Sequence, residues 1–417
     1  MFSIKIGINK NSITGITGSG GKTSLMFLLA CELSKKGKVL VTTTTKIYEP
    51  LKNQYENMFL TEKNETVKGT GKNIDILGSK IINGKLISPD NEDIFKLKYK
   101  YDYILYEGDG AKEKIMKFWE SYEPCILPHT DTVIGVGNIK ALGLPFNESN
   151  VHRYNMYMDK NNKNFGREYI DETILKNYLT EGDFFRDFNG KKIIFLNGVE
   201  TPAEIETAVK FSQDIPYFMF GSVKERKIYN PQEISAVIMA SGESKRFGAN
   251  KLLTEINGTP MIEILLKKLV SLPFKNIFVT YKDKEILDLC RKYKVTPLEN
   301  KNYFLGQSES IKLGASQIKD ESIMFFTGDM PFLKEETVLK LIEKYDSRIT
   351  IPVVCSERFS PVIFPNKYKF ALMGLSGDTG GREIIKTEKE LNFIEFSDKN
   401  QFYDIDTKDD LTLKGGN

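Results

Sequence analysis

The sequence predicts an α/β protein of two domains, and three features carry that expectation. Its 417 residues exceed what one hydrophobic core usually organises. Apolar runs of strand length alternate with helical patterns from end to end, as parallel sheets with crossover helices require. Each half also opens on a glycine-bearing loop that follows an apolar run, first near Gly18 and again near Gly242. In the first half the apolar runs predict strands at 12–17, 38–43, 103–106, 132–136 and 192–196, with a helix over 22–36 directly after the first loop. Between them, 64–91 is polar and glycine-rich. Around 222–231 the chain turns polar and charged, and a new strand at 235–239 starts a fresh strand-loop-helix unit. The boundary is placed there, giving domains of 1–228 and 229–417.

Bulk properties narrow the function. Lysine plus arginine number 59 and aspartate plus glutamate 56, so the formal charge of +3 is too small for a chain this long to suggest a nucleic-acid or membrane-surface partner. A polyanionic small molecule stays open as a substrate. Cys31, Cys125, Cys290 and Cys355 are far apart and form no CxxC pair, which argues against a zinc site or a disulfide framework. The longest apolar stretch, at 25–31, is far short of the roughly 20 residues that span a bilayer, and the N-terminus lacks a signal-peptide core. A soluble, cytoplasmic protein is expected.

In the second half, AVIMASGESKRFGANKLL runs from a buried strand into a loop holding Ala240, Ser241, Gly242, Arg246, Gly248 and Lys251. Glycines let backbone N–H groups approach phosphate oxygens, while a guanidinium and an ammonium offset the charge of a leaving pyrophosphate. Two cations and glycines alone also describe an ordinary basic turn. Further on, IMFFTGDMPFL sets Gly328 and Asp329 just past an apolar strand, and Asp406 follows another short one in YDIDTKDDL. A single strand-end Asp usually caps a turn, but two that converge supply the hard oxygens magnesium needs. Their occurrence downstream of a phosphate-type loop is the rarer coincidence.

These residues carry a resemblance. Residues 234–413 resemble the MobA-like nucleotidyltransferases, and within them the molybdenum cofactor cytidylyltransferase (MocA) branch. The opening LAAGxSxRxGxxK-type pattern is matched from Met239 through Ser244, Arg246, Gly248 and Lys251, with Ser241 in place of the branch's usual alanine. A GxSxSxxxG element is matched by GQSESIKLG, which contains Ser308 and Ser310, and a GDxGxR element by GDTGGR from Gly377 to Arg382. The resemblance implies a Rossmann-like, GT-A-like α/β/α sandwich with nucleotide over the strand C-termini. It further implies that CTP lies on the opening loop, that Asp329 and Asp406 hold Mg2+, and that molybdopterin attacks the α-phosphate to give molybdopterin cytosine dinucleotide and pyrophosphate. The guanylyl branch, which uses GTP, favours two glycines at Ser241-Gly242 and lacks the GQSESIKLG element, so cytosine is the better expectation and guanine the alternative.

In the first half, ITGITGSGGKTSLMFLLACEL reads as a strand, a loop with Gly18, Gly20 and Gly21, and a helix opened by Lys22, Thr23 and Ser24. A P-loop needs these parts: N–H groups around a β-phosphate, a lysine on the β/γ oxygens and a hydroxyl on magnesium. The strict GxxxxGKT spacing is broken by Ile16, with Gly15 one place early. After the next two strands come VTTTTKIYEP and YEGDGA, so Thr45, Lys46, Glu107 and Asp109 join the candidate site. A threonine run also fits plain β propensity. Of the two histidines, His152 is a candidate and His129 is not, while Trp119 reads as core. FLNGVE lacks the lysine and aspartate of a guanine-reading box and is given no weight.

The loop GITGSGGKTS is similar to the ATP loop of Mur-type amide ligases, but no ligase-type central or C-terminal domain follows. Residues 1–225 more fully resemble the YqeC family of selenium cofactor biosynthesis proteins, through the GKTS loop, VTTTTKIYEP, EGDGA, Tyr122-Glu123-Pro124 and Val151-His152-Arg153. That resemblance implies a P-loop NTPase-like sheet that binds ATP and assists maturation of selenium-dependent molybdenum hydroxylases, with an apo hydroxylase as partner. Two classes stay open for it: a catalytic ATPase or kinase, and a nucleotide-gated chaperone for the cofactor.

Overall fold

The computed structural model describes residues 1–156, 168–242 and 250–405. The chain divides into two compact units, Met1–Asn230 and Pro231–Asn417.

The first unit is built on a ten-stranded sheet. Its strands in chain order are β1 (Ser12–Gly18), β2 (Val39–Thr43), β3 (Asn57–Leu60), β4 (Glu65–Lys68), β5 (Ile74–Gly78), β6 (Tyr103–Glu107), β7 (Thr132–Asn138), β8 (Lys191–Asn197), β9 (Phe218–Ser222) and β10 (Lys227–Tyr229). They lie in the order β10-β9-β8-β7-β1-β6-β2-β5-β3-β4. The eight strands from β9 to β3 pair in parallel, and an antiparallel strand closes each edge. Every residue of β1, β2 and β6 is buried, as expected of a parallel sheet covered on both faces. Alternate side chains feed two separate cores: Val39, Val41, Tyr103 and Leu105 enter one, and Leu40, Ile104 and Tyr106 the other.

The polar stretch at 64–91 is not one connection. It holds β4, β5 and two of the three strands of a small second sheet, formed by Lys46–Tyr48, Ile81–Ile82 and Lys85–Ile87. Asn64, Asn73 and Asn83 turn between them with positive φ, which asparagine tolerates better than most residues. The first long helix, α1 (Lys22–Leu33), ends before Ser34-Lys35-Lys36, three residues sooner than its pattern suggests. Later come α2 (Glu172–Glu181) and α3 (Pro202–Ser212). Helix α3 starts on a reciprocal capping box: the Thr201 hydroxyl accepts from the Glu204 amide, the Glu204 carboxylate accepts from the Thr201 amide, and proline sits in the first turn.

The second unit has an eight-stranded mixed sheet. Its strands are β11 (Ile234–Met239), β12 (Ile277–Tyr281), β13 (Thr296–Glu299), β14 (Ser322–Thr327), β15 (Ile349–Val354), β16 (Glu357–Arg358), β17 (Val362–Phe364) and β18 (Leu391–Glu395). The order is β13-β12-β11-β14-β17-β15-β16, with β18 on β15. Strand β11 is central, pairing in parallel with β12 and β14, so the loops leaving these three strands emerge at one end of the sheet. Helices α4 (Met261–Leu269), α5 (Lys284–Tyr293), α6 (Gln307–Gln317) and α7 (Glu335–Lys344) connect the strands. Helix α6 lies close on the sheet because Gly314 has no side chain; a Cβ there would stand 2.7 Å from Val237. Among the described residues no helix is long and apolar enough to cross a membrane.

Candidate functional site

In the first unit the loop between β1 and α1 depends on glycine. Gly18, Gly20 and Gly21 have φ of 92°, 76° and 131°, where an L side chain is strained, and a Cβ on Gly21 would lie 2.3 Å from the Asn197 amide nitrogen. Two asparagines at neighbouring strand ends hold the loop. The side-chain amides of Asn138, from β7, and Asn197, from β8, donate to the Gly20 carbonyl at 2.8 and 3.0 Å. Asn197 therefore has a structural task in FLNGVE that its spacing did not suggest.

Lys22 is buried and donates to the Gly18 carbonyl at 2.7 Å, while pairing with Asp109 at 2.8 Å and Glu107 at 3.4 Å. The Thr23 hydroxyl donates to Glu107 at 2.7 Å. Four of the expected residues thus meet at one point: Lys22, Thr23, Glu107 and Asp109. Asp109, 0% exposed, also accepts from the Gly18 amide, from Lys117 at 3.0 Å and from the Trp119 indole at 2.6 Å. Burial favours the neutral form of Asp109, but Lys22 and Lys117 outweigh it and hold this carboxyl below the usual carboxylate range. For Glu107 burial wins, and its carboxyl is pushed up despite Lys22 and Thr23.

Other expected residues lie apart. Ser24 is exposed on the first turn of α1. Thr45 bonds back to Thr43, whose hydroxyl donates to the Glu107 carbonyl, so it supports the end of β6. Lys46 is exposed and begins the small second sheet rather than extending the main one. His152 pairs in register with Lys117 in a two-stranded ladder, one ion pair removed from the loop. Its neighbour Arg153 grips Glu123 through both terminal nitrogens, and Glu123 accepts from Lys117 at 3.1 Å. Lys117, Trp119, Glu123 and Arg153 form a buried to half-buried extension that sequence spacing did not reveal.

The pKa of His152 is pushed down to about 4, first by burial and then by Arg153, Lys112 and Lys117. A histidine that binds its proton more weakly when folded destabilises the fold as pH drops from about 6.5 towards 4, and contributes no such loss above that window. The melting temperature of the first unit should therefore fall between pH 7 and 4.5, and His152→Gln should flatten the fall. Parallel melting profiles for the two proteins would refute the assignment.

In the second unit, Ala240, Ser241 and Gly242 leave β11; the Ala240 amide bonds to the Thr280 carbonyl, and Gly242 is exposed. Arg246, Gly248 and Asp406 lie outside the described residues. Ser241 is buried, and its hydroxyl meets that of Ser310 at 2.8 Å. The buried Asn300 amide donates to both, at 2.9 and 3.2 Å, a bridging residue that the motifs did not single out. Ser308 opens α6, and its buried hydroxyl has no hydrogen-bond partner among the described residues.

Asp329 stands just past β14, 8% exposed, after Gly328, whose amide bonds to the Met239 carbonyl. Its Oδ2 accepts from Lys251 at 2.5 Å, so these two expected residues do meet. Its Oδ1 is buried and has no hydrogen-bond partner among the described residues. Native folds seldom leave a buried acceptor in that state unless water, an ion or a ligand completes it. The Ile405 amide bonds to the Asp329 carbonyl at 3.3 Å, and exposed Asp404 accepts from Thr327, the last residue of β14. The two glycine motifs also touch: Gly306 has φ of 108°, and a Cβ on it would lie 2.6 Å from the Gly377 backbone.

Comparison with known proteins agrees with this division. Residues 14–155 match the family model described as YqeC protein, and residues 236–392 match that of the MobA-like NTP transferase domain. Over 115 residues the chain is 31% identical to a probable molybdenum cofactor guanylyltransferase of Aquifex aeolicus, covering 27% of this chain and 55% of that protein. Over 163 residues it is 30% identical to the uncharacterized protein YqeC of Escherichia coli, covering 37% of this chain and 63% of that protein. A molybdenum cofactor guanylyltransferase of Vibrio atlanticus is 26% identical over 191 residues, which is 44% of this chain and 97% of that protein. The chain thus spans between half and two thirds of the length of the first two relatives. It joins a YqeC domain in its N-terminal half to a MobA-like NTP transferase domain in its C-terminal half.

Proposed function

We propose that the C-terminal half transfers a nucleotidyl group from a magnesium-bound nucleoside triphosphate to molybdopterin, releasing pyrophosphate. The observation that carries this reading is the half-used carboxylate of Asp329, with one oxygen on Lys251 and the other buried without a partner among the described residues. A hard, uncompensated oxygen at a strand end fits magnesium, which takes few protein ligands and leaves the rest of its shell to water and phosphate. Asp329 would hold the ion together with Asp406, which follows the residue bonded to the Asp329 main chain. When bound, the ion offsets charge on the triphosphate. Lys251 and Arg246 neutralise the leaving pyrophosphate, and the loop from Ala240 to Gly248 lines the nucleotide, with Ser308 offering an unused hydroxyl. The phosphate monoester of molybdopterin is already ionised near neutral pH, so the residues position the two substrates and balance charge rather than move protons.

For the base, CTP is the reading we favour. It is supported by the motifs: Ser241 stands where the guanylyl branch favours glycine, and its hydroxyl bonds to Ser310 of the GQSESIKLG element, which that branch lacks. The names of the Aquifex and Vibrio relatives support GTP as the second reading. Incubation of the full chain with molybdopterin, magnesium and each of the four nucleoside triphosphates, with products identified by mass, decides. The cytosine dinucleotide should form fastest; faster turnover of GTP would reverse the base, and no product from any of the four would remove the reaction.

For the N-terminal half we propose an ATP site at the glycine loop, of P-loop NTPase type. It is supported by Lys22 at the helix entrance and by the bond from Thr23 to the strand-end Glu107. Its role would be to assist maturation of a selenium-dependent molybdenum hydroxylase, either as an ATPase or as a nucleotide-gated cofactor chaperone. Phosphate release with and without the apo hydroxylase separates those two.

A further inference from the structure

The glycine loop of the first unit is engaged by a carboxylate of its own chain. Asp109 lies two residues beyond β6 and takes the Gly18 amide at 3.1 and 3.0 Å and the Lys22 ammonium at 2.8 Å. Gly18 opens the loop and Lys22 closes it. A loop of this form directs such donors at the terminal phosphates of a nucleotide. Glu107 is engaged differently, since it accepts from the Thr23 hydroxyl on the side where such loops place their metal. A terminal phosphate on Lys22 would therefore meet the Asp109 charge at hydrogen-bond distance, in a fully buried setting where like charges repel strongly.

We propose that Asp109 determines specificity between nucleoside di- and triphosphates: it stands in for the γ-phosphate in the nucleotide-free loop, a diphosphate binds beside it, and a triphosphate displaces it. This rests on the reading of the loop as an ATP site. Displacement is feasible because only half of the Asp109 contacts belong to the loop. The others, from Lys117 and from the Trp119 indole, reach Oδ2 from residues outside the loop and keep the carboxylate compensated when it withdraws. Lys117 is tied in turn to Glu123, and Glu123 to Arg153, so the movement passes into the segment that carries the family's Tyr122-Glu123-Pro124 and Val151-His152-Arg153 elements. Trp119 also stacks on Tyr178, with ring centroids 5.7 Å apart, and the Tyr178 hydroxyl meets that of Ser19 in the loop at 3.1 Å.

Trp119 is the single tryptophan of the chain, so its emission reports on this place alone. With the full-length protein and magnesium, ADP and the β,γ-imido analogue of ATP are titrated, following Trp119 emission and, separately, equilibrium dialysis of each labelled nucleotide. Both nucleotides should bind, and only the triphosphate analogue should shift the emission. Asp109→Asn should tighten the analogue about tenfold and leave ADP within about twofold. Equal emission changes with ADP and the analogue would overturn the proposal, as would weaker binding of both nucleotides to Asp109→Asn, which would make Asp109 a supporting residue of the bound state. Should that variant not fold, the emission contrast in the unaltered protein decides alone. Dialysis binding that is absent, or unchanged by Thr23→Val, removes the ATP-site reading instead.

Discussion

Asp329→Ala is expected to lower nucleotidyl transfer by about a hundredfold to a thousandfold, the scale on which preorganised charge at a reacting phosphate usually acts. The geometry makes this residue hard to replace. The strand that leads to it, β14, is buried up to Phe326, Lys251 already takes one of its oxygens, and the second oxygen is a buried acceptor without a partner among the described residues. Stability should change much less than rate, because removing an unsatisfied buried acceptor also removes its desolvation cost. Product formation at saturating nucleotide and magnesium, measured beside a thermal melt, checks both halves of the statement. Asp329→Asn keeps the shape while discarding the charge and should fall with it. Near-unaltered rates in either variant would show that Asp329 is no metal ligand.

The second large effect belongs to Lys22→Ala, which should abolish nucleotide binding at the first loop and leave nucleotidyl transfer by the other half nearly unchanged. From its place in the motif, Lys22 reads as a residue that serves the ligand alone. The structure corrects that: Lys22 is buried between Asp109 and Glu107, and removing one partner of a buried ion pair typically costs about 3–5 kcal/mol. The first unit should therefore also melt earlier, so nucleotide binding must be measured at a temperature where circular dichroism still reports it folded. A tenfold loss of nucleotidyl transfer in a folded Lys22→Ala protein would mean that the two halves are energetically coupled.

What the sequence made legible is what local physics dictates. Apolar runs gave β1, β2, β6, β7 and β8 to within two residues at either end, because the strands inside a covered parallel sheet carry charged residues only at their ends. The two loops were visible because positive φ demands glycine at Gly18, Gly20 and Gly21. Asp329 and Glu107 could be named as candidates because strand ends are where open sheets place their chemistry. The misses share a cause as well. Lys117 and Trp119 meet Asp109 only in the fold, and Glu123 is held there by Lys117 and by Arg153, a partner 30 residues away. Asn300 bridges two serines from different motifs, and no spacing rule couples them. Strands in 64–91 escaped notice because they are only two to five residues long and lie between sharp asparagine turns.

The contact between Gly306 and Gly377 constrains how this enzyme half can diverge. A Cβ on Gly306 would collide with the carbonyl carbon and oxygen of Gly377 and with the Asp378 nitrogen, all main-chain atoms that every amino acid shares. No exchange of side chains at the second motif could therefore make room for a side chain at the first. Lineages can relieve the clash only by rerouting the backbone, through a gained or lost residue in one of the two loops. Descent along this branch should consequently keep this glycine wherever the two loops keep their lengths, and lose it only together with an insertion or deletion, never through paired substitutions.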